Sequence, residues 1–184
     1  MNKTTGGAGR YSLVAMAFHW ILAILISLNF MGAWASEDLP KAERLVAMNG
    51  HKAMGITILL LTLARIGWRL AHHPPALLDS LKAWEIALAK VVHALAYAFM
   101  LAVPLAGWAM HSAASKGAPV AMFDVFAMPA LPVGTDKAAA GLFHELHETF
   151  ATLLLALIAV HVLAAIKHVA LDRDGTMRRM VPWG

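Results

Sequence analysis

Four long apolar stretches constrain the fold of this chain more than any other feature. A helix needs about 20 mainly apolar residues to cross a bilayer, and stretches of that length lie at about 14–35, 49–70, 88–113 and 142–170. Of the 184 residues, 60% are hydrophobic and only 14% are charged, which departs from a soluble domain in the direction that lipid requires. We therefore predict a single all-α domain over residues 1–184, an integral membrane four-helix bundle that contacts lipid on several passes.

Proline and glycine mark the segments between these spans. The run His72-His73-Pro74-Pro75 is expected to end the second span, because proline cannot continue a helix and restricts the residue before it. Pro104 and Gly107 predict a kink in the third span. Residues 116–140 are rich in proline, glycine and alanine and are predicted to form a long loop, and a basic cytoplasmic tail over 171–184 follows the fourth span.

The lysines and arginines beside the spans predict the orientation of the chain. Ten would lie on one side of the membrane: Lys3, Arg10, Arg65, Arg69, Lys82, Lys90, Lys167, Arg173, Arg178 and Arg179. Five would lie on the other: Lys41, Arg44, Lys52, Lys116 and Lys137. Because positive residues concentrate in short cytoplasmic loops, both termini are predicted to be cytoplasmic. The same asymmetry accounts for the net charge of +4, so no nucleic-acid partner is expected.

Histidines are the polar residues that most need an explanation, since an ionisable group inside a span is costly without a partner. Seven lie in or at the ends of the spans: His19, His51, His93, His111, His144, His147 and His161. Haem iron takes axial imidazoles, and helix bundles hold cofactors between side chains of facing helices. The chain has no cysteine, which excludes a thioether-attached c-type haem and Cys-ligated iron–sulfur clusters. These observations favour b-type haem.

The spacing of His147 and His161 indicates two sites. They are 14 residues apart, which is about 21 Å of helical rise and almost four turns, so one helix offers an imidazole near each membrane surface. The possible partners are His19 or His93 at the cytoplasmic depth, and His51 or His111 at the outer depth. His93 and His111 are themselves 18 residues apart, or five turns. The spacing therefore predicts two bis-histidine haems and leaves the partners of the fourth span open.

Several motifs together resemble the bacterial cytochrome b561 family. They are Phe18-His19-Trp20 after Arg10-Tyr11, Gly50-His51-Lys52 with Gly55, Pro104-Leu105-Ala106-Gly107-Trp108, His147-Glu148-Thr149, and the stretch from His161 to His168 that runs on through Asp172 and Gly175 to Arg178-Arg179-Met180-Val181-Pro182. The resemblance covers nearly the whole chain. It implies four helices and two b haems in the bacterial inner membrane. Carried onto this chain, it implies that His19 and His161 ligate the cytoplasmic-side haem, and that His51 and His147 ligate the periplasmic-side haem.

Iron with two axial histidines has no open position, which favours electron transfer. The resemblance implies electron exchange with the quinone pool, with ubiquinone or another quinone as a bound partner, and in one branch superoxide oxidation at the periplasmic face. Two hypotheses follow. The first is a superoxide:ubiquinone oxidoreductase, and the second is a non-enzymatic carrier that passes electrons between quinone and a periplasmic redox protein or dehydrogenase.

Basic side chains near the span ends are candidates to neutralise the anionic haem propionates. These residues are Arg10, Lys52, Arg65, Arg69 and Lys167. His93 and His168 are predicted to lie near the cytoplasmic haem. They are candidates for handling the protons of a quinone there, because imidazole titrates near neutral pH.

Overall fold

Four long helices make up most of the protein. The computed structural model describes residues 9–76 and 81–181. The helices are α1 Leu13–Ala35, α2 Lys41–Ala71, α3 Ala83–Ala114 and α4 Lys137–Lys167. Each is long and apolar enough to cross a membrane, and the predicted integral membrane four-helix bundle is confirmed. Lys3 and positions 182–184 of the predicted tail lie outside the described residues.

The helices begin and end where local chemistry favours it. The Ser12 hydroxyl accepts a hydrogen bond from the Ala15 amide at the start of α1 (3.2 Å), and the Asp136 carboxylate accepts one from Ala139 at the start of α4 (2.7 Å). Such bonds satisfy amides that have no partner within the helix. Helices α2, α3 and α4 begin before the predicted spans, at N-terminal turns where charged residues such as Lys41, Glu85 and Lys137 interrupt the apolar run. At its other end α4 gives way to a π-helical turn, His168–Asp172.

The bundle is apolar on its outside. Large side chains such as Leu13, Leu70 and Leu163 are 66–77% exposed. Contiguous apolar surface of this kind is rare on a soluble monomer, whereas lipid tails solvate it. The outer surface therefore faces the hydrocarbon of the bilayer.

A small apolar core lies at mid-height, and we call it the central layer. It consists of Leu22, Ile26, Ile58, Met100 and Leu154. Leu154 is seven residues from His147 and seven from His161, which is about 10 Å of helical rise in each direction. The central layer therefore separates the two ends of the bundle.

The helices pack in chain order. α1 packs on α2, α2 on α3, and α3 most extensively on α4. Among the described residues, the backbone of α4 rarely comes close to that of α1 or α2, and these helices meet through the side chains of the central layer. We call the end that holds residues 9–12 and 174–181 the terminal end, and the end that holds the α1–α2 connection the loop end. At the loop end a cavity lies between α4 and the first two helices, and at the terminal end the rings of His19 and His161 face each other between α1 and α4.

The loop predicted over 116–140 is wrong in part, because it contains a hairpin and the start of α4. Strands β1 Val120–Met122 and β2 Phe126–Met128 pair antiparallel. Strands of three residues are too short for an alternating pattern to be detected in the sequence. Val120 and Met122 are buried against Ala53 and Ile56 of α2, so the hairpin folds back over the loop end of the bundle.

Candidate haem sites

Two pairs of histidines face each other between α4 and the first two helices. The ring centroids of His51 and His147 are 6.1 Å apart at the loop end, and those of His19 and His161 are also 6.1 Å apart at the terminal end. A metal–imidazole bond is about 2.0–2.1 Å long and a ring centroid lies about 1.1 Å behind its nitrogen, so two imidazoles on opposite faces of one ion are about 6 Å apart. Both pairs fit that separation.

His147 is held by the backbone of α3. Its Nδ1 lies 2.9 Å from the Val103 carbonyl oxygen, and a carbonyl only accepts, so Nδ1 donates and carries the proton. The lone pair of Nε2 is then available for a metal, which is the usual arrangement of a ligating histidine and its outer partner.

Gly107 makes the close approach of His147 possible. A Cβ at this position would lie 3.0 Å from both Cε1 and Nδ1 of the His147 ring. The sequence links Gly107 with Pro104 to a predicted kink, and both residues lie inside the helix that runs from Ala83 to Ala114. The structure gives Gly107 a further role. The imidazole of His147 occupies the space that a side chain at position 107 would fill.

A cavity opens beside the loop-end pair. Its lining combines His51 and His147 with apolar side chains, and Lys52, His111 and Val120 also line it. His51 Nδ1 is buried without a hydrogen-bond partner among the described residues, since the nearby Asn29 carbonyl misses hydrogen-bond geometry. A buried polar nitrogen without a partner calls for an explanation. The apolar cavity beside it could hold a flat, largely apolar metal complex.

The terminal end brings three histidines together. The His93 ring lies 5.4 Å from the His161 ring, slightly closer than His19 does, and His93 is exposed. Ring separation alone therefore leaves both histidines as possible partners of His161. At the loop end the ring that faces His147 is His51. His111 lies at the rim there, with its Nε2 3.4 Å from the Pro119 carbonyl oxygen.

Positive charge lies directly against the terminal-end group. Arg65 Nη2 is 3.3 Å from His19 Nδ1. The Arg65 guanidinium is 5.3 Å from the centroid of the Tyr97 ring, and that of Arg69 is 5.9 Å from it. Of the predicted propionate partners, Arg65 and Arg69 thus lie near this histidine group, and Lys52 lies at the other one.

Lys167 and Arg10 make other contacts. Lys167 Nζ pairs with the carboxylates of Glu85 (2.8 Å) and Asp172 (2.5 Å). The Arg10 guanidinium donates to the Val181 carbonyl oxygen (2.5 Å). Both residues therefore join segments of the chain at the terminal end.

His168 and His144 lie apart from the histidine pairs. His168 Nδ1 contacts the carboxylates of Asp174 (2.7 Å) and Asp172 (3.1 Å). The side chain of His144 is 53% exposed and lies 3.3 Å from Glu148 one turn away. The contacts of both imidazoles are therefore with carboxylates.

Comparison with known proteins identifies a family that matches nearly the whole chain. Residues 10–183 match the family described as prokaryotic cytochrome b561. The chain belongs to the prokaryotic cytochrome b561 family. It is 28% identical over 183 residues to "Cytochrome b561 homolog 2" of Escherichia coli K12, with 94% of this chain and 91% of the relative covered. It is 26% identical over 175 residues to "Cytochrome b561 homolog 1" of the same organism (94% and 97%).

A third relative carries an activity in its name. "Probable superoxide oxidase CybB" of Yersinia pestis is 27% identical over 177 residues, with 94% of this chain and 96% of the relative covered. Membership of the cytochrome b561 family establishes a multi-pass membrane protein that binds b-type haem and transfers electrons. The resemblance identified from the sequence motifs is confirmed.

Proposed function

We propose that this cytochrome b561 protein holds two b haems, one between His19 and His161 and one between His51 and His147, and moves electrons through them across the bacterial inner membrane. The observation that carries the proposal is the pair of 6.1 Å ring separations at opposite ends of the bundle. When bound, each haem supplies a one-electron couple, and two axial imidazoles favour electron transfer over ligand binding. The excess of lysine and arginine on that side supports a cytoplasmic position for the terminal end.

The packing of the helices supports this choice of partners. His19 lies on α1 and His51 on α2, and neither helix packs extensively on α4. A cleft therefore lies between each of them and the α4 histidine that it faces. His93 lies on α3, which packs tightly on α4, so it has less room for a porphyrin between it and His161. We assign His93 a place beside the haem rather than on the iron.

Arg65 is the strongest candidate to bind a haem propionate. A guanidinium has no acceptor, so Arg65 donates in its contact with His19 Nδ1. Arginine pairs with carboxylates through two parallel hydrogen bonds, which are stronger than a bond to a neutral ring. A propionate would therefore draw Arg65 away from His19. The ring proton could then move from Nε2 to Nδ1, which would leave the Nε2 lone pair free for the iron.

We further propose that the electrons come from superoxide at the loop end and leave to a quinone at the terminal end. Lys52 and His111 line the loop-end cavity beside His51, so a small anion meets a positive charge there. Two superoxide anions give up one electron each and leave as dioxygen, and one quinone takes up both electrons and two protons to become quinol. His93, an exposed residue whose ring lies 5.4 Å from that of His161, is the candidate hydrogen-bond donor to the quinone.

Haem counting with single histidine variants tests the two-haem proposal. Pyridine-haemochrome titration of the purified chain should give two haems, and alanine at any one of the four proposed ligands should remove one. His144→Ala is the matched control, because it deletes an exposed imidazole from α4 and should leave two. A wild-type value of one haem per chain contradicts the proposal.

Stopped-flow reduction tests the direction of electron flow. The oxidised protein is mixed with superoxide or with quinol in the same preparation, and haem reduction is followed by visible absorption. Fast reduction by superoxide followed by quinol formation supports the oxidoreductase. Reduction by quinol alone, with no response to superoxide, indicates instead a carrier that serves a periplasmic redox protein.

A further inference from the structure

We propose that the C-terminal segment 174–181 sets the distance between α1 and α4, and that Arg179 is the positioning residue that keeps His19 opposite His161. This inference rests on the proposed function, because it concerns the haem held by those two histidines. It assigns a role to the Arg178-Arg179-Met180 motif, which lies outside all four membrane spans.

Arg179 joins three parts of the chain. Its side chain is buried, with 8% exposed, although arginine is almost never buried without partners. Nε donates to the Gly9 carbonyl oxygen (2.9 Å) and Nη2 donates to the Ala76 carbonyl oxygen (2.6 Å). Its own carbonyl oxygen accepts from the Tyr11 amide (3.3 Å). Arg179 thus connects the C-terminal segment to the residues before α1 and after α2.

A second contact reaches the residue beside the proposed ligand. Trp20 Nε1 donates to the Met180 carbonyl oxygen at 2.8 Å, across 160 residues of sequence. Trp20 follows His19 directly, and their rings lie edge to face with centroids 5.3 Å apart. The position of the second turn of α1 is therefore tied to the backbone of the C-terminal segment.

The segment is itself anchored to α4. Arg173 (φ 49°) and Gly175 (φ 81°) take left-handed backbone conformations, which turn the chain after α4 ends. Asp174 then accepts from His168 Nδ1 (2.7 Å) and from the Thr176 amide (2.9 Å). Burial alone would raise the pKa of Asp174, but the hydrogen bonds from Thr176 and His168 outweigh it and lower the pKa. The carboxylate is charged at neutral pH and holds the turn.

This connection matters because the central layer fixes α1 against α4 at mid-height and the C-terminal segment does so at the terminal end. The backbones of the two helices rarely come close. Their side chains meet in the central layer, and the proposed haem lies between them nearer the terminal end. A few tenths of an ångström decide whether both imidazoles reach one iron. A segment that continues from α4 and binds the start of α1 closes the cleft from outside the membrane.

The test is Arg179→Ala in the full-length holoprotein, compared with Arg179→Lys and with Arg178→Ala. Arg178 is exposed and serves as the matched control. In Arg179→Ala, haem content should fall from two to about one per chain, or one of two low-spin haem signals in electron paramagnetic resonance should shift while the other stays unchanged. Lysine keeps the charge and one donor group, so Arg179→Lys should restore part of the lost signal.

A distance measurement separates positioning from general instability. The natural chain has no cysteine, so spin labels at Ala17→Cys on α1 and Leu163→Cys on α4, both exposed, report the helix separation. Arg179→Ala should broaden and lengthen that distance. Unchanged haem signals together with an unchanged distance overturn the inference.

Two further results keep the interpretation unambiguous. If Arg179→Ala does not accumulate, Trp20→Phe removes only the bond to Met180. That variant should shift the midpoint potential of one haem, and no shift in either haem contradicts the inference. A wild-type chain with a single haem, or His19→Ala with two, refutes the proposed function and not the positioning role alone.

Discussion

Substituting Gly107 with alanine should weaken one haem site selectively. The added Cβ would lie 3.0 Å from two atoms of the His147 ring, whereas carbon atoms in contact prefer about 3.5–4.0 Å. The imidazole must therefore move away by about 0.5–1 Å. Its bond to the Val103 carbonyl is 2.9 Å long and would stretch beyond the roughly 3.2 Å limit of a good N–H···O bond.

The size of the effect follows from that lost bond. Removing the outer hydrogen-bond partner of a metal-ligating histidine typically costs 10–100-fold in metal affinity. We expect Gly107→Ala to lose haem from the loop-end site about 10–100 times more readily, with the terminal-end haem unchanged. Haem transfer to an excess of apomyoglobin measures the loss, and a redox titration shows which haem has changed.

Gly67→Ala is the matched control for this prediction. It lies within α2, and its added Cβ would meet no atom within 4 Å. Both substitutions raise helix propensity by about 1 kcal/mol, so propensity cannot explain a difference between them. Wild-type haem retention and an unchanged midpoint potential in Gly107→Ala would refute the argument that this glycine makes room for the ligand.

Three further outcomes are expected. His93→Ala should keep both haems but slow quinone reduction, measured by haem content and steady-state quinol formation; loss of an axial ligand signal would instead make His93 a ligand. Lys52→Gln should slow haem reduction by superoxide in stopped flow while leaving reduction by quinol unchanged, since only the anion is attracted by the charge; an equal loss with both reductants contradicts this role. Leu154→Ala should destabilise the protein by about 2–5 kcal/mol, because it opens a cavity in the central layer, and thermal unfolding followed by visible absorption of the haems would detect it; an unchanged midpoint would mean that the layer can collapse around the smaller side chain.

The helices could be predicted from the sequence because a helix that crosses a bilayer needs a long, mainly apolar run of residues. A run of about 20 apolar residues is read directly, and the four predicted spans lie within helices except for 168–170, which belong to the π-helical turn. Helix ends were harder to place. The first turns of α2 from Lys41 and of α4 from Lys137 lie before the apolar runs. A side-chain cap, Asp136, marks the start of α4, whereas α2 begins after Pro40 without one.

The histidine pairs show where periodicity stops being informative. The spacing of histidines along α4 predicts an imidazole at each depth. The choice between His19 and His93 depends instead on which helices leave room beside α4. The hydrophobic periodicity of a single helix does not show how that helix packs on the others. Structural roles that involve backbone atoms were also inaccessible. No sequence pattern shows that the Val103 carbonyl orients His147. Nor does any pattern show that Gly107 leaves room for the His147 ring.

The central layer has a consequence for energy conversion. Leu22, Ile26, Ile58, Met100 and Leu154 fill the space between the two histidine pairs and offer no chain of polar groups along which water could carry protons. Electrons can tunnel through such packed hydrocarbon, but hydrated ions cannot cross it. An electron that passes between the two ends therefore moves with or against part of the transmembrane voltage, and the work is less than the roughly 2.3 kcal/mol per 100 mV of a complete crossing. Because the apolar layer is insulating, part of the membrane voltage drops across it. We therefore expect the rate of electron transfer in vesicles to change when the membrane is polarised.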